Sequence, residues 1–469
     1  MKSIFEKDDY EKFMIFSYME GVKNQNVSIS DIEKRLSITY FKATKLMDEL
    51  IKDFDHLELE SFFFIEKKKR AYIYSKNGLD SVNRLFWIYG RQSFKLAFID
   101  YFLKYKKNSI EDFSLDYFIS LSKAYKISKH VNEFLDSYNL NFFESDQYSE
   151  TQLRLFLTDI YTTIYKAYEE PFDKALIDKT EKLIDDLKNN RLVEIVTDLD
   201  YIKLKFYLYI TYLRNQNNHS HFNEAASFRQ IKFEQIKTIK SCLASFLVNL
   251  DNIDDEVYVF INFLQVNEFF LDGFMFVPIP IRAALDDLFT IICSYKELHN
   301  YRSQIRESFI PLFTKVLYYD TRILDSQFNA DLSVFQENYS EIYQLCLDIC
   351  LNKKVIEILG IQNKNKSFLM AMMLKFIDVI PNKLLLKPIK VTVDFSIGKE
   401  YNTFISSIID NLPFANVLVD NRYSEETDIY LSDFLTNQIK SKYIIWNNPP
   451  TSKDWEIFGN LVSVVKKQK

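Results

Sequence analysis

Glycine, proline and cysteine are scarce in this 469-residue chain. Seven glycines and nine prolines are too few for glycine-rich phosphate loops or for the many turns of β-sandwiches and propellers. Long helices joined by short polar segments suit this composition better. Because domains usually span about 100–200 residues, the length predicts several of them.

The four cysteines are Cys242, Cys293, Cys346 and Cys350. Only the last two lie close together, and no further ligand-type side chains crowd around them, whereas a structural zinc site needs four ligands. Scattered cysteines of this kind are typical of a reducing compartment. We therefore expect free thiols, no metal site and no bound cofactor.

A strong net charge and long apolar runs are also missing. The chain has 59 basic and 65 acidic residues, for a net charge of −6, so nucleic-acid binding would depend on where the cations lie. No apolar run reaches the ~18 residues of a membrane span, and the acidic N-terminal segment lacks a signal-peptide core. We expect a globular cytoplasmic protein without membrane segments.

Residues 1–90 are predicted to form a winged helix-turn-helix. Ser30 and Glu33 have the spacing of a capping box and predict a helix start. A second helix is predicted over about residues 40–54, and residues 57–75 alternate like a β-hairpin with a charged tip. This order leaves the outer face of the second helix free for a DNA major groove.

The predicted DNA contacts of this unit lie on the second helix and at the hairpin tip, where cations would bind phosphates. Those on the helix are Thr39, Tyr40, Lys42 and Lys45, with Ala43 on the same face. Those at the tip are Lys67, Lys68, Lys69 and Arg70. A three-helix scaffold with solvated lysines is the alternative interpretation.

The same arrangement recurs in residues 91–149. After a helix at residues 94–105 and a turn at residues 119–122, a second helix has lysines at every third position. Its predicted DNA contacts are Lys123, Lys126 and Lys129, with Tyr125 between them. Its opposite, apolar face consists of Ile127, Val131, Phe134 and Leu135. Two such units in tandem favour binding to double-stranded DNA, with a solvated lysine stripe as the alternative.

The remainder of the chain is mainly helical and ends in a different architecture. Residues 150–274 and 275–385 are predicted to be two bundles of amphipathic helices separated by polar loops. Residues 386–469 alternate strand and helix, which predicts a small α/β domain with a largely parallel sheet. The predicted fold class is therefore mainly α and multidomain.

This order of parts resembles the Mga/AtxA family of virulence regulators from Gram-positive bacteria, which contain phosphotransferase-system regulation domains (PRDs). SETQLRLFLTDIYTTIYKAYEEPF (residues 149–172) is similar to the family's junction before the first PRD. FISLSKAYKISKHVNEFLDSYNLNF (residues 118–142) is similar to its second helix-turn-helix. YLYITYLRNQNNHSHF (residues 207–222) is similar to a PRD helix end with its histidine-bearing loop.

The resemblance implies a transcriptional regulator and not an enzyme, controlled by histidine phosphorylation from HPr or a related phosphocarrier. A neutral imidazole is nucleophilic near pH 7 and suits phosphoryl relay. The candidate acceptors are His219, His221 and His299, with nearby cations at Arg214, Arg302 and Arg306. The resemblance also implies a homodimer involving a C-terminal domain similar to an EIIB subunit of the phosphotransferase system.

The sequence departs from the EIIB pattern at one informative place. No cysteine follows Cys350, so residues 386–469 have no thiolate phosphocarrier and are predicted to serve as a dimerisation scaffold. The leading hypothesis is a DNA-binding regulator with salt-dependent affinity for AT-rich promoter DNA. The alternatives are a helical protein-interaction scaffold with vestigial helix-turn-helix units and an enzyme of the phosphotransferase system.

Overall fold

The computed structural model describes most of the chain. The described residues are 2–22, 26–57, 59, 62–68, 71–76, 83–105, 109–141, 149–165, 171–219, 233–270, 277, 279–293, 295–318, 332, 335–336, 339–360, 366–381, 384, 388–411, 416–420, 422–435 and 439–468.

The chain divides into two compact units, Met1–Phe276 and Val277–Lys469. The division falls two residues beyond the predicted border between the helical bundles, and the finer division into five domains stays a prediction. Both units are built mainly from helices, which confirms the predicted fold class.

The first unit begins with a three-helix, three-strand arrangement. Its elements are α1 (Lys7–Gly21), β1 (Asn26–Ser28), α2 (Ile29–Leu36), α3 (Tyr40–His56), β2 (Phe63–Lys68) and β3 (Ala71–Lys76). The strands form an antiparallel sheet in the order β1-β3-β2. The predicted hairpin is confirmed, and β1 is an additional strand that the sequence did not indicate.

Aromatic packing holds this sheet against the helices. The Phe16 ring on α1 lies 5.1 Å from Phe54, 5.0 Å from Phe63 and 5.4 Å from Tyr74, always edge to face. Each such pair contributes about 0.5–1.5 kcal/mol beyond its area burial. The hairpin is therefore fixed to α1 and α3 by one shared aromatic centre.

A second set of helices follows directly and continues into the first bundle. Its elements are α4 (Asn83–Gln92), α5 (Phe94–Lys104), α6 (Ile110–Asp116), α7 (Leu121–Asp136), α8 (Glu150–Tyr165), α9 (Lys174–Asn189), α10 (Asp198–Gln216), α11 (Phe233–Phe246) and α12 (Ile253–Val266). Only Ser93 separates α4 from α5, and this residue caps α5 with its hydroxyl.

The caps of the helix-turn-helix segments correct two sequence predictions. α2 is capped by Ser28, whose hydroxyl accepts from the Asp31 amide while the Asp31 carboxylate accepts from the Ser28 amide. The prediction of a cap at Ser30 was wrong, because Ser30 already lies inside the helix. The predicted turn at residues 119–122 was also placed too late, since Ser120 caps α7 and the helix begins at Leu121.

α8 joins the second helix-turn-helix to the bundle. The half-buried Asp100 carboxylate on α5 accepts hydrogen bonds from the hydroxyls of Tyr161 and Tyr165 on α8. The ring of Phe134 on α7 lies 5.4 Å from the ring of Phe156, which is also on α8. These contacts join the second helix-turn-helix to the bundle.

The second compact unit begins with another set of helices. They are α13 (Ile279–Ile292), a 3-10 helix (Lys296–Tyr301), α14 (Arg302–Tyr318), α15 (Ser340–Leu351), α16 (Lys353–Leu359) and α17 (Lys366–Val379). They enclose an apolar core that includes Cys346. Its burial raises the pKa of Cys346 well above the ordinary value, as expected for an inert structural thiol.

The C-terminal segment is an α/β domain. Its elements are β4 (Ile389–Asp394), α18 (Lys399–Asp410), β5 (Val417–Asp420), β6 (Ile429–Ser432), β7 (Lys442–Ile445) and α19 (Ser452–Gln468). The four strands pair in parallel in the order β5-β4-β6-β7. The predicted parallel sheet is confirmed.

Candidate nucleic-acid interface

The two helix-turn-helix units follow one backbone plan. In the first, Ser37 ends α2 in the left-handed conformation (φ 53°), and the Thr39 hydroxyl caps α3. In the second, Phe118 follows α6 in the same conformation (φ 51°), and the Ser120 hydroxyl caps α7. The turn therefore brings the second helix of each pair across the first in the same way.

A constant offset of 81 residues relates the two units. Besides the left-handed residues and the caps of the second helices, it superimposes the capping box of Ser28 on that of Ser109. It also superimposes the fully buried Ala43 on the fully buried Ala124. No insertion interrupts this register from α2 through α3, so each α3 position has a defined counterpart on α7.

The cations at the start of α3 face carboxylates of α1. The Lys42 ammonium binds Glu11 and lies 3.6 Å from Asp8, and the hydrogen bond to Glu11 raises the pKa of Lys42. Lys45 lies 3.6 Å from Asp8 and 3.5 Å from Glu49. These lysines are therefore partly neutralised within the unit itself.

The other candidates on α3 divide between surface and core. Tyr40 is more than half exposed, and Thr39 is exposed and caps the helix through its hydroxyl. Ala43 is wrongly placed on the outer face by the sequence prediction, because it is fully buried against the unit's core. The exposed side of α3 thus presents Tyr40 and the neighbouring Phe41, which is 80% exposed.

The hairpin carries fewer available cations than predicted. Lys67 lies 3.4 Å from Asp48 and stacks 5.6 Å over the Tyr72 ring, and Lys68 lies 3.4 Å from Glu66. Lys69 and Arg70 lie outside the described residues. The described part of the wing is therefore a mixed-charge surface.

α7 presents its cations differently. Lys126 and Lys129 are exposed on the side opposite the buried Ile127 and Val131. Among the described residues Lys126 has no ion pair, and Lys129 has only a 3.8 Å pair with Glu133 on its own helix. Their charges point outward from the core, as phosphate binding requires.

Two further candidates on α7 make contacts within the unit. The Lys123 ammonium lies 3.6 Å from the centre of the Phe94 ring, which fixes this cation at the junction with α5. The Tyr125 hydroxyl donates to Glu111 at 2.6 Å, and this hydrogen bond lowers the pKa of Glu111. Tyr125 is half exposed, so its ring edge still borders the outer surface.

Sequence reasoning missed two exposed basic side chains, Lys34 and Arg35, which lie in the last turn of α2. His130, a candidate phosphate contact from the sequence, follows Lys129 on α7 and is exposed. The signal for the shared register was present in the sequence. Ser-Ile-x-Asp begins at Ser28 and Ser109, and Lys-Ala-x-Lys begins at Lys42 and Lys123, with the same 81-residue offset in both cases.

A buried ion-pair network lies beneath the first histidine candidate. The fully buried Arg154 donates to Glu150 at 2.8 Å, to Glu256 at 2.6 and 3.0 Å, and to the backbone oxygen of His219 at 2.8 Å. Burial opposes these charges, but Glu256 and Glu150 outweigh it and raise the pKa of Arg154. The start of the histidine loop is therefore anchored to α8 and α12.

Arg214 is part of the same network. Its guanidinium donates to the two oxygens of Glu150 at 2.9 and 2.6 Å, and its side chain is almost completely buried. Sequence proximity predicted Arg214 as a partner for a phosphoryl group on His219, whereas the structure binds it to Glu150. His221 lies outside the described residues.

The third histidine candidate borders a cavity. The Nε2 atom of the exposed His299 is 3.4 Å from the backbone oxygen of Cys293. The cavity has a volume of ≈ 160 Å³ and is lined by Phe289, Ile292, Cys293, Leu298, His299 and Arg302. Arg306 lies 3.4 Å from Asp286, so of the two predicted arginines only Arg302 lines the same cavity as His299.

In the C-terminal domain, the Asp433 carboxylate accepts hydrogen bonds from residues near the start of α18. The Ser396 amide donates to Asp433 at 2.8 Å, the Ser396 hydroxyl donates to the other oxygen of Asp433, and the Asn448 amide donates at 2.6 Å. Burial opposes the charge, but these hydrogen bonds outweigh it and lower the pKa of Asp433. This position follows β4, where an EIIB domain has its phosphorylated cysteine.

The described residues contain neither a metal-binding cluster nor a membrane-spanning helix. Within that part of the chain, no group of three or more His, Cys, Asp or Glu side chains could hold a metal ion. Nor is any of its helices both long and apolar enough to cross a membrane.

The paired units define a helix-turn-helix protein whose second unit has an outward-facing cationic helix. Residues 80–161 match the Mga helix-turn-helix domain, a segment that contains α5, α6 and α7 completely. This match supports membership of the Mga family of regulators and a role as a DNA-binding transcriptional regulator. No curated protein matches the sequence.

Proposed function

We propose that the second helix-turn-helix unit supplies the main DNA-binding surface, with α7 in the major groove of double-stranded, AT-rich promoter DNA in the cytoplasm. The outward position of Lys126 and Lys129 on the face opposite the core supports this proposal above all. Cations placed in this way bind phosphates and release condensed counterions, so affinity falls as salt rises. Tyr40 and Tyr125 are the proposed base-contacting side chains.

The test is a DNA titration across salt concentrations with the Lys126→Ala, Lys129→Ala double variant. Each lost phosphate contact lowers the slope of log affinity against log salt by about 0.9, so the expected reduction is about 1.8. Lys174→Ala, Lys182→Ala on the exposed side of α9 is the matched control. An unchanged slope in the α7 variant would remove this helix from the interface.

We also propose that histidine phosphorylation controls the regulator, with His219, His221 and His299 as acceptors. A phosphohistidine of HPr would transfer its phosphoryl group to an imidazole nitrogen and return to neutral histidine. The anchoring of the His219 backbone to buried Arg154 supports a structural response at this loop, and Arg302 beside His299 supports charge capture there.

This control is tested by incubating the purified protein with phosphoenolpyruvate, Enzyme I and HPr. Mass spectrometry under neutral conditions would then locate acid-labile phosphate. At a regulatory histidine, the His→Ala and His→Asp variants are expected to change DNA affinity in opposite directions, because Asp approximates the added negative charge. An absence of label, with a known PRD protein labelled in parallel, would leave these domains structural.

We further propose a homodimer with contacts in residues 386–469. β7 is an edge strand of the parallel sheet, and its Tyr443 and Ile445 side chains are about half exposed on one face. Exposed apolar side chains on an edge strand favour association. Dimerisation would raise DNA affinity by bringing more DNA-binding units to one site.

Sedimentation of the full chain tests the dimer. Tyr443→Asp, Ile445→Asp and removal of residues 386–469 are both expected to shift the mass toward the monomer. Leu418→Asp, on the opposite edge strand β5, is the control because its side chain is equally exposed. A mass that stays dimeric in the truncated protein would place the interface in the helical bundles.

The alternative function is a helical interaction scaffold whose helix-turn-helix units do not bind DNA. The partial neutralisation of Lys42 and Lys45 in the first unit favours this alternative for that unit. Absence of salt-dependent DNA binding by the whole protein would favour it for both.

A further inference from the structure

The turn of the second helix-turn-helix exposes large apolar side chains. Leu115 at the end of α6 is 73% exposed, Phe118 in the turn is 95% exposed, and Leu121 at the start of α7 is 44% exposed. The Phe118 amide donates to the Leu115 backbone oxygen at 3.2 Å, so the first two lie in one tight turn. We call these three residues the turn patch.

Two of the three turn-patch positions are apolar only in the second unit. At the 81-residue offset, the first unit has Lys34 in place of Leu115 and Ser37 in place of Phe118, whereas Leu121 corresponds to the exposed Tyr40. The left-handed conformation at this position costs a bulky residue more than Gly or Asn. A phenylalanine with that conformation and nearly complete exposure contributes little to the core, so its presence indicates a function outside the folded unit.

The helix that carries Leu115 also carries three exposed carboxylates. α6 carries Glu111, Asp112 and Asp116, and the last of these accepts from Tyr101 at 2.8 Å. In a helix-turn-helix the first helix crosses the DNA backbone while the second enters the groove. Carboxylates repel phosphates, so the acidic, apolar outer face of α6 is unsuited to DNA although it lies next to the bound duplex.

We propose that the turn patch docks a basic protein surface with an apolar pocket, on a partner bound to the adjacent DNA. This proposal rests on the DNA-binding function of α7. The charge complementarity is specific: Glu111, Asp112 and Asp116 would face the partner's cations, while Phe118 and Leu115 would fill its pocket. For a transcriptional regulator, the DNA-bound protein of this kind is RNA polymerase.

The internal repeat supplies the variant that tests this contact. Leu115→Lys, Phe118→Ser gives the second unit the residues that the first unit has at the same backbone positions, so the turn is expected to fold. Purified RNA polymerase holoenzyme would transcribe from a promoter that binds the regulator, with DNA affinity measured in parallel. We expect unchanged DNA affinity and at least a tenfold loss of the regulator's effect on transcription.

Two further variants isolate the apolar and the charged parts. Phe118→Asn keeps a residue that tolerates the left-handed conformation, and Asp116→Asn keeps an acceptor for the Tyr101 hydroxyl. Both are expected to weaken the effect on transcription without changing DNA affinity. Val196→Ser removes another exposed apolar side chain, 80% exposed before α10, and is expected to change neither quantity.

Three results would overturn the proposal. Loss of DNA affinity in the double variant would place the patch in the DNA interface. Full transcriptional effect with normal DNA affinity would leave the patch without a partner. A shift from dimer to monomer would show that the occupant is a second copy of the chain. If the parent protein itself does not bind DNA, the proposed function fails first.

Discussion

In the first helix-turn-helix unit Lys42 and Lys45 of α3 face carboxylates of α1, whereas in the second unit Lys126 and Lys129 of α7 are exposed to solvent. The backbones match residue for residue at the 81-residue offset. α3 has three lysines and four acidic residues, and α7 has three lysines and two acidic residues. One scaffold therefore supports two surfaces, and electrostatics decides which one suits a phosphate backbone.

The 81-residue offset also identifies the positions at which the charges of α3 and α7 differ. Asp48 and Glu49 on α3 occupy the positions of Lys129 and His130 on α7. In the first unit, the exposed cations Lys34 and Arg35 lie instead at the end of α2.

The largest effect is expected for Asp100→Asn, which tests how the second unit is attached to the bundle. Burial raises the pKa of Asp100 from 3.8 to about 6. Because the folded state disfavours the ionised form, the free energy of unfolding falls by about 3 kcal/mol as pH rises from about 4 to 6. The amide variant should lose this pH dependence.

Hydrogen exchange of the α5 and α8 amides, corrected for intrinsic rates, measures this change at pH 4 and pH 7. The amides of α3 serve as an internal control, because α3 belongs to the first helix-turn-helix unit and none of its described residues forms a hydrogen bond with Asp100. An equal pH dependence in the parent and variant proteins would contradict the assigned role of Asp100.

The next effect tests whether the two units are packed equivalently. Ala43→Leu and Ala124→Leu should each cost about 1–3 kcal/mol, because both alanines are fully buried and the added side chain overpacks the core. Local hydrogen exchange would measure both costs, with Ser122→Leu at an exposed α7 position as the control. A cost confined to one unit would show that the shared register does not extend to packing.

A charge exchange should make the first unit resemble the second. Asp48→Lys places a cation at the counterpart of Lys129 and releases Lys67 from its 3.4 Å pair. With one or two new phosphate contacts, the slope of log affinity against log salt should steepen by about 0.9–1.8. Asp185→Lys on α9 makes the same charge change far from α3 and is the control. If it steepens the salt slope equally, the effect comes from the net charge of the protein and not from new phosphate contacts.

The smallest change in the salt dependence of DNA binding is expected for the double variant Lys42→Ala, Lys45→Ala. Both ammonium groups are partly neutralised by α1 carboxylates, so their removal should change the salt slope by less than 0.9 in total. The same titration on the α7 double variant provides the comparison. A reduction near 1.8 would mean that DNA displaces the α1 carboxylates.

The sequence predicted much of this fold because local patterns determine it. The segment KPIKVTVDFS (residues 387–396) alternates and is rich in β-branched side chains, and it contains the parallel strand β4. The apolar positions Ile127 and Val131 on α7 are buried as predicted. In such segments the periodicity alone identifies the face that meets the core.

The failures occurred where two local signals competed or where a contact was distant. Ser28 and Ser30 each precede an acidic residue by three positions, and only the structure shows that Ser28 forms the reciprocal capping bonds. The pairing of Lys42 with Glu11 joins residues on different helices, so helix periodicity could not reveal it. The same reason applies to Arg214 and Glu150.

The junction between α4 and α5 fixes the second helix-turn-helix unit to the N-terminal segment of the first, so the chain would present two linked DNA-binding units. The Ser93 hydroxyl donates to the Ile4 backbone oxygen at 2.5 Å, and the Lys95 ammonium donates to the Phe5 backbone oxygen at 2.7 Å. If α7 binds DNA, the first helix-turn-helix unit would be held close to the same duplex at a high effective concentration. It could bind only if the duplex has a second site at the matching helical phase. Inserting half a helical turn of DNA would remove that advantage.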